Sequence, residues 1–235
     1  MSYKRFFDTI EDMINDVKDT QYENIKRAGE IIADSIMNGG IVQSFGSGHS
    51  FAGALEISHR AGGLIPTKAI KEPAQGKYEM IEGVGSYFVK EVDVRENDCF
   101  VLISNSGRNP LPIEIAQYVK EKGNKIIVVT SLEASKKLKS RHSSGKKLYE
   151  LADVILDNRG VEGDAAIHVE GMETKVCGTS SITAAVLLQA TVLHAIEIMI
   201  ERGYTPPVYM SQNVDGGLEF NERLQAEYAH RLFRV

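Results

Sequence analysis

Cysteine is scarce: 235 residues contain two, Cys99 and Cys177. That excludes a disulfide framework, and both are expected as reduced thiols, which suits a cytoplasmic protein. No stretch reaches the ~18 consecutive apolar residues of a membrane span, so no membrane partner is expected. Residues 1–19 are studded with charge and lack the apolar centre of a signal peptide. Basic residues are not in excess either. The net charge of −5 argues against a nucleic-acid partner. The six histidines are scattered, and neither H-E-x-x-H nor C-x-x-C occurs, so no metal is expected. No glycine is followed by Lys-Ser or Lys-Thr, which removes a Walker loop. A dinucleotide fingerprint starts at Gly46 and Gly48 but fails at Phe51, and Pro66-Thr67 stand where its ribose-binding acid belongs. No cofactor is expected.

What remains is an ordinary globular composition, 43% hydrophobic and 25% charged, sufficient for one sizeable core. The chain reads as a single domain over 1–235, with residues 1–39 as an N-terminal helical extension. Helices are predicted over 3–20 and 22–38, the second with Ile25, Ala28, Ile32 and Ile36 on one stripe. Strands are predicted at 41–45, 64–70, 99–103, 125–130 and 152–156. Between and after them helices are predicted over 50–61, from Asn109-Pro110 onward, over 178–202 and over 218–233. Residues 77–90 stay ambiguous, because Gly83 and Gly85 weaken a helical pattern. Strands alternating with helices imply an α/β three-layer sandwich around a five-stranded parallel sheet. His194 lies inside the long apolar helix and reads as a packed core residue.

Two strand ends carry chemistry. Ile41–Phe45 feeds into Gly46-Ser-Gly-His-Ser50, and Cys99–Ile103 feeds into Ser104-Asn-Ser-Gly-Arg-Asn109. Small hydroxyl residues and glycine between a strand and a helix build anion pockets from hydroxyls and backbone N–H groups. In a doubly wound sheet such loops lie where ligands bind. Two of them point to a phosphorylated small molecule. The basic stretch Ser140–Lys147 offers Arg141, His142 and Lys146 to a phosphate, or forms a plain solvated loop.

The two loops resemble those of the SIS (sugar isomerase) domain, a flavodoxin-like, doubly wound phosphosugar-binding fold. Gly46–Ser50 matches G-x-G-x-S, and Ser104–Asn109 matches S-x-S-G-x-[S/T/N]. Arg60-Ala-Gly-Gly63, Ser140-Arg-His142, Asp157-Asn158, Gly163-Asp-Ala165 and Asn213–Gly217 resemble a bacterial group within that family labelled UPF0309. The resemblance implies a phosphorylated sugar as partner, held by Ser50, Ser104, Ser106 and Asn109. The loop residues Gly48, His49, Asn105, Gly107 and Arg108 complete the set, with Arg141 and His142 as further candidates. It also implies a homodimer or homotetramer with sites near subunit interfaces. The implied activity is aldose–ketose isomerisation or related phosphosugar chemistry; the alternative is sensing without turnover. Isomerisation needs a base and a ring-opening group. Glu56 and Glu72 are the acidic candidates, and His59 and His142 the imidazoles. The His-and-Glu metal set of heptose-phosphate isomerases is absent from the helix after the first loop. Only ~40 residues precede the first strand and they are not basic, so an N-terminal DNA-reading domain is not expected.

Overall fold

The computed structural model describes residues 3–233. Five strands pair in parallel in the order β2-β1-β3-β4-β5: β1 (Val42–Gly46), β2 (Thr67–Ile70), β3 (Cys99–Ile103), β4 (Lys125–Thr130) and β5 (Val154–Asp157). Side chains alternate across the sheet. Val101, Ile103, Ile127 and Val129 face one core, and Phe100, Leu102, Ile126 and Val128 the other. Both faces are covered, so the middle strands β3 and β4 read as nearly continuous apolar runs.

One layer holds α1 (Lys4–Thr20), α2 (Tyr22–Met37), α3 (Phe51–Glu56) and α7 (Ser180–Glu201). The stripe expected on α2 buries Ala28, Ile32 and Ile36 against this core, so α2 is integral to the layer. The other layer holds α4 (Val84–Phe88) and α5 (Pro110–Glu121). By length and composition α7 is apolar enough to cross a membrane; half of that stretch is buried inside the protein, where Leu187, Leu188, Val192 and Met199 join the first core. The remaining elements are α6 (Leu132–Lys137), α8 (Gly217–Leu232) and a two-stranded antiparallel hairpin, β6 (Ala165–Ile167) with β7 (Val176–Gly178).

Two predicted boundaries move most. The helix expected over 50–61 stops at Glu56, because the chain turns at Ser58 and His59 enters the left-handed region at φ 52°. The strand expected from Leu64 begins at Thr67. Residues 63–65 bond instead to 207–209, antiparallel. Helix α6 and the hairpin carry no usable periodicity, being six and three residues long.

At the opposite end of the sheet from the loops, the fully buried carboxylate of Asp98 gathers the chain. It accepts from the N–H groups of Ile41 (3.0 Å) and Arg95 (2.9 Å), from Gln43 Nε2 (2.9 Å) and from Arg231 on α8 (2.7 Å). Arg231 is itself buried; without Asp98 it keeps only Asp93 (3.3 Å), and the N–H groups of Ile41 and Arg95 lose their acceptor. Asp98→Ala should lower stability by about 3–5 kcal/mol, read as a reduced midpoint in urea unfolding; a midpoint unchanged from wild type would refute this role.

Candidate functional site

Strand order reverses between β1 and β3: β1 crosses over to β2 on one side, and β3 to β4 on the other. The loops leaving the two strands therefore diverge and open a crevice at their carboxyl ends. The first loop folds back tightly. A Cβ on Gly46 would lie 2.2 Å from the Ser50 carbonyl oxygen, so only glycine permits the following 3-10 turn, Gly48–Ser50. Segment 72–76 lies against this loop; at Gly76 (φ 93°) a Cβ would stand 2.9 Å from Gly48 Cα.

The two loops enclose a cavity of about 280 Å³. Ser47, Gly48, His49 and Ser50 line it from the first loop, and Ser104, Asn105, Ser106 and Asn109 from the second. Glu79, Ser131, Ala134, Leu138 and residues 161–164 complete the wall. The second loop is braced from behind. The Asn105 carbonyl accepts from Ser131 N–H (3.2 Å) and Thr130 Oγ1 (3.0 Å), and its Oδ1 accepts from Asn158 Nδ2 (2.7 Å). Ser104 Oγ accepts from Gly107 N–H (3.3 Å). Among the described residues, the Ser104 hydroxyl proton and the N–H groups of Asn105 and Ser106 have no acceptor. Polar groups with no partner inside the chain call for one from outside it.

Asn109 is the N-cap of α5 but does not cap it. Its usual donors are the amides two and three positions on. Leu111 N–H already donates to the Glu79 carbonyl (3.2 Å), and Pro112 has none. The Asn109 Oδ1 accepts instead from the Arg141 guanidinium (3.0 Å). The expected helix N-terminus is thus a weak anion donor here, and side chains take its place.

Of the residues singled out from sequence, Gly48, His49, Ser50, Ser104, Asn105, Ser106 and Asn109 share this cavity, whereas Gly107, Arg108, Arg141 and His142 do not line it. Gly107 turns inward beneath Leu148, whose N–H its carbonyl accepts (2.8 Å). Arg108 is partly buried, and its Nε has no partner among the described residues. His142 lies 3.6 Å from Glu82 and 3.7 Å from Glu114, neither of which lines the cavity.

The carboxylate and imidazole candidates are dispersed. Glu56 ends α3, paired with Arg60 and accepting from Gln189 Nε2 (3.1 Å). Beyond it His59 bonds the Tyr209 hydroxyl (3.0 Å) and lines a separate cavity of about 260 Å³ with Arg60 and Asn213. The reason is geometric: the chain after a strand's carboxyl end runs back along the sheet and carries these residues toward the start of β2, where the His59 N–H meets Thr67 Oγ1 (3.4 Å). Glu72 is buried and braces the first loop, accepting from Ala74 N–H (3.1 Å), Gly76 N–H and Ser47 Oγ (3.4 Å).

The sequence reading passes over Ser47, Glu79, Ser131 and Glu162. Ser131 had a usable signal, since it follows β4 as Ser104 follows β3. Glu79 sits in the stretch with no clear period. Three carboxylates, Glu79, Glu162 and Asp164, line the cavity. Asp164 Oδ1 is committed to the N–H groups of Thr179 (3.0 Å) and Ser180 (2.8 Å) at the start of α7. Glu162 is exposed. Glu79 is partly buried and has no side-chain partner among the described residues; its N–H donates to the Gly76 carbonyl (3.2 Å) while its carbonyl holds Leu111. Among the described residues no three His, Cys, Asp or Glu side chains gather as a metal site would require.

This is a doubly wound α/β protein whose polar cavity opens at the topological switch point, with uncommitted hydroxyl and amide donors on its wall. A family model described as the SIS domain matches residues 5–131. A UPF0309 protein of Listeria monocytogenes is 56% identical over 230 residues, covering 98% of each chain. The chain belongs to the SIS domain family and, within it, to the UPF0309 group. Phosphoheptose isomerase of Neisseria gonorrhoeae shares the fold with TM-score 0.57 and 19% identity, over 83% of this chain and 97% of that one. So does a phosphoheptose isomerase of Francisella tularensis, with TM-score 0.56 and 16% identity over 83% and 96% of the two chains.

Proposed function

We propose that the crevice between the loops after β1 and β3 binds a phosphorylated sugar and interconverts its aldose and ketose forms. The observation that carries this reading is the set of unspent donors on Ser104, Asn105 and Ser106, facing the same cavity as Ser50 and Asn109. A phosphate group is all acceptor and matches a wall of donors. The names of two structural neighbours, both isomerases of a phosphorylated heptose, agree with it.

Isomerisation moves a proton between adjacent carbons through an enediolate. We assign the base to Glu79, because it is the partly buried carboxylate on the wall with no competing bond and its backbone is tied to Gly76 and Leu111. Glu56 and Glu72 must first give up their present partners. With the second-loop hydroxyls given to the phosphate, His49 on the first loop is the wall residue assigned to stabilise developing negative charge on the sugar oxygens. The protein is proposed to act in the cytoplasm as an assembly of identical subunits. Supporting this, α7 exposes Ile182, Leu193 and Ile200 along one side, and α3, packed against α7, exposes Leu55. Glu56 and His59 follow Leu55 in the chain and are the candidates for a contribution across such an interface.

Ser106→Ala and Ser50→Ala should each weaken binding of a sugar phosphate by about 1.5–3 kcal/mol in titration calorimetry, after a thermal-shift panel of pentose, hexose and heptose phosphates has selected the ligand. Affinity untouched by both changes would remove the phosphate from this cavity. Glu79→Gln should retain binding but abolish solvent deuterium incorporation at the sugar C2. Exchange that survives in Glu79→Gln yet disappears in Glu56→Gln or Glu72→Gln reassigns the base, and binding without exchange in the unaltered protein leaves a sensor. Leu193→Glu should yield monomers in sedimentation velocity, where the unaltered chain sediments as an oligomer; an unaltered chain that is already monomeric sinks the assembly proposal.

A further inference from the structure

Arg141 is tied by its bonds to the second of the proposed phosphate loops, yet it does not line their cavity. Its guanidinium meets Asn109 Oδ1 at 3.0 Å. A guanidinium only donates, so the amide atom it touches must be the oxygen. That fixes which way the Asn109 amide is turned and leaves Nδ2, with two N–H donors, uncommitted on a residue that is 7% exposed and lines the cavity. The local sequence Asn109-Pro-Leu-Pro112 is what releases this side chain from capping. Pro112 lacks an N–H, and that of Leu111 is occupied by the Glu79 carbonyl.

Arg141 is itself held. Its N–H donates to the Arg108 carbonyl (2.8 Å). Two residues on, Ser143 bonds Glu82 through its N–H (3.0 Å) and its hydroxyl. We propose that Arg141 is a positioning residue: it orients the Asn109 amide so that only donors face the ligand oxyanion, and it makes no contact with that oxyanion. The proposal rests on the phosphate-binding reading of the cavity. It predicts a site selective for a fully acceptor group, with the positive charge one residue removed from the ligand.

The test is a double-mutant cycle with inorganic phosphate as probe, followed by calorimetry and by the ¹⁵N–¹H signals of the Asn109 side chain and of the Asn105 and Ser106 amides. Asn109→Ala and Arg141→Met should each weaken binding about tenfold, and the double variant also about tenfold rather than a hundredfold. Arg141→Lys, which keeps a donor to Oδ1, should recover most of the affinity. Phosphate should shift the Asn109 Nδ2 signals in the unaltered protein, and not in Arg141→Met. Additive losses in the double variant mean that Arg141 touches phosphate directly, and they overturn the positioning role alone. If phosphate moves none of the Asn105, Ser106 or Asn109 signals, the phosphate site itself is wrong and this role falls with it.

Discussion

Everything at the site depends on one constraint, the reversal of strand order between β1 and β3. Parallel neighbours need crossovers of one hand, so a strand that starts the sheet in the middle sends its successors to both sides. The loops after β1 and β3 are then pulled apart at their ends, and the gap between them cannot close. Gly46 and Gly76 let the first loop and the segment above it approach as closely as backbone allows. The second loop is braced by Ser131 and Asn158, which follow the ends of β4 and β5. The crevice is thus a consequence of sheet topology, and its polarity is a consequence of what the loops contain.

The charge arrangement around it is indirect. Among the described residues no lysine or arginine lines the cavity, while three carboxylates do. Donors on the wall are neutral hydroxyls and amides, and the guanidinium sits behind one of them. Neutral donors in a partly enclosed site bind an anion through orientation, because their dipoles are already aimed and need little rearrangement. The carboxylates differ in what they are free to do. Asp164 caps a helix and Glu72 holds a loop, whereas Glu79 has no such duty. Availability, more than residue type, sets Glu79 apart from the carboxylates with structural duties.

Much of this was legible along the chain. The alternation of apolar strands with helices, the five strand positions, the stripe on α2 and both glycine–hydroxyl loops follow from periodicity and turn chemistry, and seven loop residues expected together do share one cavity. Chain order does not carry reach. Glu56 and His59 are near the first loop in sequence, but the run back from β1 carries them toward the far end of the sheet. Arg141 and His142 were candidates for the ligand by charge, and neither is among the residues that line the cavity. Glu79 was invisible, because its segment has neither helical nor strand periodicity and its position is set by bonds to Gly76 and Leu111.

The amino-acid sequence alone determined the layers, the parallel sheet and the two donor-rich junctions, since these rest on local patterns of burial and backbone freedom. Only the tertiary structure decided which polar groups are already spent. Whether Asn109 caps its helix or offers its amide to a guest turns on a proline three residues later and on contacts from residues 79 and 141. Residues 79 and 141 are remote along the chain, and no local pattern encodes their approach.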